Sequence, residues 1–334
     1  MIQRTTQTRD KPRREGLDRR QMLGGALVCL SLGAGLARAQ NAPALPVPPP
    51  DALALSANLL TRMAALIRLQ GRSFLFVIDT GAERTSIARD VAESLGLEPG
   101  PNVVVHGVTS AEATPTARVE RMSFGRRRFR NLILPVFDRS MLAADGLLGL
   151  DVLSQFRLSM DLVRRTVTMT DTRSAYYTRG AVSVIPTRLV GGIGARVDVS
   201  GQLILTDATA DGVPVQSFVD SGAQYSIGNS ALLRAIGGRI TGRPIPLYGV
   251  TGQTIDARVG ALNDLRIGPH DLGPASLLFA DLHAFDALGL SDRPALLLGA
   301  DILFRFRRIQ LDYGARRMGF SALRPRSASS GLGV

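Results

Sequence analysis

The chain has 334 residues, 45% hydrophobic and 20% charged. That balance excludes wholesale disorder and leaves room for two domains at roughly 100–200 residues each. One Cys, three His (His106, His270, His283) and no HExxH or paired-His motif argue against a disulfide framework and a Cys- or His-rich metal site. The formal charge of +12 invites a nucleic-acid reading, which processing must be allowed to correct first.

Residues 1–20 carry Arg4, Arg9, Lys11, Arg13, Arg14, Arg19 and Arg20, and an apolar, Gly-rich run follows from Met22 to Leu36. Ala37-Arg38-Ala39 then offers a small-x-small cleavage site, so residues 1–39 read as an export signal. Asp18-Arg19-Arg20-Gln21-Met22-Leu23 resembles a twin-arginine motif, departing from it at Asp18 and Met22. About fifteen apolar residues fall short of the ~20 of a spanning helix, so no stable membrane anchor is expected. Cys29 lies within the apolar run after Leu27-Val28, a poor lipidation site. Cleavage removes eight basic and three acidic residues, five of the twelve net charges, together with the only Cys and the only Lys. Lys and thiol nucleophiles are thereby excluded from the mature chain. An exported protein is not expected to bind nucleic acid, and a periplasmic or secreted location follows. Residues 40–52, with five prolines, read as an extended linker.

The remainder repeats itself. Phe74-Leu-Phe-Val-Ile-Asp79-Thr80-Gly81-Ala82 returns as Val215-Gln-Ser-Phe-Val-Asp220-Ser221-Gly222-Ala223. Each copy leads into a short helical pattern, Val91/Leu95 before Gly96 and Leu232/Ile236 before Gly237, with Gly as the stop signal. A hairpin pattern follows in each copy: Val104-Val-His106-Gly107 to Ser110, and Pro246-Leu-Tyr248-Gly249 to Gly252. Then Leu147-Leu148-Gly149-Leu-Asp151 returns as Leu297-Leu298-Gly299-Ala-Asp301, each before a short helical stretch and a strand ending in Asp161 or Asp312. Three signatures in one order predict two copies of one all-β domain with a few short helices, at 53–172 and 182–323. The connector is 173–181, and 324–334 is a flexible tail.

An apolar run into Asp-Thr/Ser-Gly-Ala, a Gly-centred hairpin, and Leu-Leu-Gly before a helix resemble the retropepsin-like aspartic proteases, over nearly all of 53–323. One such tetrapeptide is weak evidence; two in-frame copies with matched Leu-Leu-Gly motifs are strong. The resemblance implies two tandem acid-protease β-barrels forming a pepsin-like pseudo-dimer in a monomer. It implies Asp79 and Asp220 as a catalytic pair acting on a protein or peptide substrate without cofactor or metal. Two carboxylates about 3 Å apart share one proton, so one can activate water while the other protonates the carbonyl. Thr80 and Ser221 would cross-link the two loops, Gly81 and Gly222 would direct amides at the carboxylates, and both Leu-Leu-Gly runs would thread beneath as buried strands. Ala82 and Ala223 stand where pepsins commonly carry a hydroxyl. Without that hydrogen bond the pair should work nearer neutral pH. His106, Gly107, Tyr248 and Gly249 are flap candidates, the Tyr resembling a lid residue. Two alternatives stay open: a non-catalytic peptide- or envelope-binding module, and pairing of each domain with a second chain.

Three other features are read as structural. Asp151 and Asp301 are expected to be N-caps, and Asp161 and Asp312 to pair with arginines, Arg157 and Arg307 being candidates. Gly125-Arg-Arg-Arg-Phe-Arg130 reads as a solvated hairpin turn, although an anionic partner would also fit it. Gly191-Gly-Ile-Gly194 lacks the setting of a dinucleotide site.

Overall fold

The computed structural model describes residues 53–54, 56–57, 62–106, 111–171, 183–186, 188–191, 202–315, 317–321 and 323–324. The leader 1–39, the linker 40–52, the connector 173–181, Gly107, Gly191-Gly-Ile-Gly194 beyond its first residue, and the tail after Arg324 lie outside the described residues.

The described chain is mostly strand with six short helices. The first eight-stranded sheet runs Ser56–Ala57, Met63–Leu69, Arg72–Ile78, Gly146–Leu148, Ser86–Ala88, Arg127–Phe137, Ala111–Phe124, Pro99–His106. An added pairing of Met63–Leu69 with Ala111–Phe124 curls it back on itself. The second runs Arg188–Gly191, Gln202–Ala210, Val213–Val219, Ala295–Leu298, Ile227–Gly228, His270–Phe279, Thr254–Ile267, Ile240–Tyr248, with Gln202–Ala210 also pairing Thr254–Ile267. The two orders are the same, so each sequence repeat is a repeat of topology. We call these sheets, with their helices, lobe 1 and lobe 2.

The local devices repeat as well. Helix Arg89–Ser94 ends with Gly96 at φ 58° and helix Ser230–Ala235 with Gly237 at φ 59°, the left-handed conformation glycine adopts without penalty. In both, the two amides after the helix turn back to its last carbonyls: Gly96 to Glu93 and Leu97 to Ala92, Gly237 to Arg234 and Gly238 to Leu233. The Gly stop signals therefore act as expected.

A six-stranded sheet joins the lobes, ordered Leu53–Ala54, Thr166–Asp171, Phe156–Asp161, Arg308–Asp312, Arg317–Phe320, Ser183–Pro186. At its centre the strand after each short helix pairs antiparallel with its counterpart from the other repeat. The late aspartates are used here. Arg157 and Asp312 face each other in register and form a buried ion pair at 2.5 Å. Asp161 takes Arg164 at 2.6 Å and Arg308 at 3.1 Å. Arg308, not Arg307, is thus the second cross-sheet partner. Lobe 2 carries one more residue between its Phe and its Asp than lobe 1 does, which moves the paired arginine by one.

The basic run is a hairpin turn, with Gly125 at φ 59°. Arg127 lies over the Phe156 ring at 5.1 Å and meets Asp171 at 3.3 Å. No helix among the described residues is long and apolar enough to cross a membrane.

Candidate active site

Strands Arg72–Ile78 and Val213–Val219 are apolar at their ends because each is sandwiched within its lobe, and each delivers an Asp at its exit. Leu147-Leu148 and Leu297-Leu298 run beside them, parallel to each. Their carbonyls anchor the turns: Leu148 O accepts from the Asp79 amide and Leu298 O from the Asp220 amide, both at 3.0 Å. The following glycines are required by packing. A Cβ on Gly149 would strike the Arg84 backbone and one on Gly299 the Tyr225 backbone, both under 3.0 Å.

The two loops are locked together by four hydrogen bonds. The Thr80 amide donates to Ser221 Oγ at 3.2 Å and the Ser221 amide to Thr80 Oγ1 at 3.0 Å. Each hydroxyl then donates across to the other lobe, Thr80 Oγ1 to Val219 O at 3.0 Å and Ser221 Oγ to Ile78 O at 2.7 Å. All four groups are buried, so no water competes for them.

This lock brings Asp79 and Asp220 together. Asp79 Oδ1 accepts from the amides of Gly81 and Ala82, both at 2.9 Å. Asp220 Oδ1 accepts from those of Gly222 and Ala223 at 2.9 and 3.0 Å. Each glycine also abuts the other lobe's carboxylate. A Cβ on Gly81 would fall under 3.0 Å from the Asp220 carboxyl, and one on Gly222 under 3.0 Å from that of Asp79. These crossed contacts set the two carboxyls beside one another. Burial raises both acids above the carboxylate range, and at Asp220 the neighbouring Asp79 charge adds to it. The amides and Arg62 pull the other way. Two like acids so close in a dry site hold a proton between them and titrate as a pair.

Three residues near this pair escape a reading of the sequence. Arg62 is buried, with its guanidinium donating to Leu142 O and, at 3.2 Å, to Gly222 O. Tyr313, just past Arg308–Asp312, is buried beside Asp79, and burial with that charge keeps its phenol protonated. Glu83 is pushed up to about 7 by burial, against the pull of Arg84. Its Oε1 is buried without a hydrogen-bond partner.

A cavity of about 140 Å³ opens over the carboxyls. Glu83, Ser86, Phe137 and Leu147 wall it from lobe 1, and Phe218, Ala284 and Leu297 from lobe 2. Val104, Val105 and Val250 reach it from the two hairpins. The hairpins touch: Gln253 Nε2 donates to Glu112 Oε1 at 2.6 Å. His106 ends its strand opposite Ala111. The Gly249 amide donates to Gln253 O at 2.9 Å and closes the other turn. Tyr248 is on that hairpin but 73% exposed, and it does not line the cavity. Val250, two residues on in the turn, is the residue of that hairpin that lines the cavity.

Asp151 and Asp301, expected to be N-caps, are not. Gly149 and Gly299 occupy the cap positions, and the aspartates sit in the first helical turn. Each carboxylate ties that turn to the Asp loop of its own lobe. Asp151 Oδ1 accepts from the amide and hydroxyl of Thr85 at 2.9 and 2.7 Å, and Asp301 Oδ1 from the Ser226 hydroxyl at 2.6 Å.

A family model described as aspartyl protease matches residues 65–152 and 206–302, together more than half of the chain. The chain belongs to the aspartyl protease family. In this aspartyl protease fold each match begins inside the first long strand of a lobe and ends in the short helix after Leu-Leu-Gly. The two matches therefore cover two tandem retropepsin-like units and stop short of the joining sheet. No curated protein matches the chain.

Proposed function

We propose that the protein is an exported aspartic endopeptidase that hydrolyses peptide bonds with Asp79 and Asp220 as one catalytic pair. The observation that carries this reading is the crossed packing of Gly81 on the Asp220 carboxyl and Gly222 on that of Asp79. It sets the acids side by side, each against the glycine of the other lobe's loop. A water held between the acids loses a proton to the ionised member as it attacks the scissile carbonyl. The protonated member donates to the carbonyl oxygen, giving a gem-diol. The acid that took the water's proton then passes it to the amide nitrogen, the other carboxylate takes a proton back from a gem-diol hydroxyl, and the C–N bond breaks with the amine leaving as a neutral group. Protons and charge balance without metal or cofactor.

The pair works within one chain, since both acids and both cross-linking hydroxyls come from it; the reading is a monomer whose two domains span 53–172 and 182–323. Export rests on the basic, apolar and small-residue pattern of residues 1–39. Carboxyls that hold their protons to higher pH, with alanine at positions 82 and 223, support an optimum from mildly acidic to neutral pH. The test is hydrolysis of a denatured protein across pH 3–8. Wild type is expected to cleave, with Asp79→Asn and Asp220→Asn inactive. A wild type that binds peptide without cleaving it would favour the non-catalytic module.

A further inference from the structure

Arg62 stands immediately before the strand Met63–Leu69 of lobe 1, yet its guanidinium reaches lobe 2. It donates to the Gly222 carbonyl at 3.2 Å, and to that of Leu142 in its own lobe. Gly222 is the residue that touches both acids: its amide binds Asp220 Oδ1 at 2.9 Å and its Cα abuts the Asp79 carboxyl. One cation thus grips the backbone on which both carboxylates rest. The repeat supplies no second one, for the residue at the same distance ahead of Asp220 is Leu203.

A buried cation is costly unless an opposite charge offsets it. Burial does weaken the hold of Arg62 on its proton, and Asp79 and Asp220 are the charges that restore it. The other groups near the pair carry no comparable charge. Tyr313 beside Asp79 stays neutral. Glu83 and Arg84 share the cavity wall and oppose one another. Near Leu142, Arg139 is taken up by Asp90 and Asp145.

We propose that Arg62 is a positioning residue that fixes the Gly222 carbonyl and supplies the positive charge under which the two acids carry one negative charge in a buried site. The inference rests on the catalytic reading above. The sign is set by electrostatics: a cation favours ionisation and lowers both titration steps of the pair. Its removal raises both, so the bell of kcat/KM against pH moves to higher pH. At a fixed pH on the acidic limb, activity falls about tenfold when the bell moves up by about one pH unit. Arg62→Lys keeps the charge but not the planar fork, so its bell stays near that of wild type while kcat falls.

The experiment records kcat/KM against pH for wild type, Arg62→Gln and Arg62→Lys on a fluorogenic peptide that wild type cleaves. A bell displaced upward by about one pH unit in Arg62→Gln, and restored in Arg62→Lys, supports the inference. A bell at the wild-type position with only a lowered maximum overturns it. Thermal melts across pH 3–9 supply a readout that needs no turnover. Arg62→Gln should destabilise the protein more as pH rises and the acids ionise unpaired. That pH-dependent part should vanish in an Asp79→Asn/Asp220→Asn background. A pH-dependent loss that persists there, or its absence in the wild-type background, overturns the inference. If wild type cleaves nothing, the catalytic reading fails, and the melts still decide the role of Arg62.

Discussion

The two lobes share an order of strands, a helix stop, a Leu-Leu-Gly thread and a carboxylate tether, but they stabilise their margins differently. In lobe 1 the helix after the Asp loop starts at Ala88 with no side-chain cap, and its surroundings are held by exposed ion pairs, Arg89–Asp138 at 2.7 Å and Arg139–Asp90 at 2.7 Å. Lobe 2 starts the matching helix at Asn229, a buried amide. Its Oδ1 accepts from Leu232 and Ala295 amides at 2.8 and 3.1 Å, and its Nδ2 donates to Leu290 and Arg293 carbonyls at 3.0 and 2.8 Å. Close to the acids the same split appears. Lobe 1 contributes Arg62, Glu83 and Arg84, whereas the matching positions of lobe 2 are Leu203, Gln224 and Tyr225. What both lobes keep is the hydroxyl after each Asp, which joins them, and the acid that ties each short helix to the Asp loop of its own lobe. The pair at the centre is nearly symmetric, and the charge around it is not.

The comparison can be broken at its centre first. Replacing Asp79 or Asp220 by Asn should each cost ~10²–10⁴-fold in kcat, equally for the two lobes, because neither acid can serve alone. Steady-state hydrolysis measures it, and a loss confined to one lobe's Asp would end the symmetry. Next come the ion pairs of the joining sheet. Arg157→Ala leaves Asp312 buried and unpaired and should cost about 3–5 kcal/mol in urea unfolding. Arg308→Ala, at a wetter pair where Asp161 keeps Arg164, should cost about 1 kcal/mol. Equal losses would show that burial does not separate the two pairs. At the helix starts, Asn229→Ala should cost about 3 kcal/mol, since several buried amides and carbonyls lose their partner. Arg89→Ala in lobe 1 should cost less than about 1 kcal/mol.

The smallest effect is the most specific. The Glu83 carboxyl binds its proton more tightly in the fold, up to about 7, than its ordinary 4.5. Relative to the unfolded chain its contribution is full below the ordinary value and is lost as pH rises to about 7. The acid pair also binds its protons more tightly in the fold, so it slopes the same way. Melts of Glu83→Gln should therefore show a shallower decline between pH 4.5 and 7 than wild type, not a reversed one. An unchanged slope would return the whole dependence to Asp79 and Asp220.

How much of the molecule is legible in its sequence follows from range along the chain. The Asp loops, the Gly stops and the Leu-Leu-Gly threads are local patterns that occur twice, and repetition makes them readable. The helices Arg139–Leu142 and His283–Ala287 have four and five residues, too few for a helical period to register. Asp151 and Asp301 mislead for a related reason. Their distance from Gly suits a cap, while their partners Thr85 and Ser226 lie 66 and 75 residues away. Arg62 and Gly222 are separated by 160 residues, and no local spacing announces their contact. Tyr248 resembles a lid residue because of its neighbours in sequence; its 73% exposure and the place of Val250 in the cavity wall depend on how the hairpin turn is folded, which no local spacing announces.

The central claim is that one carboxylate from each repeat completes a single site within one chain. Mixing tests it most directly. Asp79→Asn and Asp220→Asn are purified separately, unfolded, refolded together and assayed against wild type treated in the same way. A pair formed within one chain predicts an active wild type and a mixture as inactive as either variant alone. Activity recovered in the mixture would mean that the acids of two chains meet, and it would contradict the account.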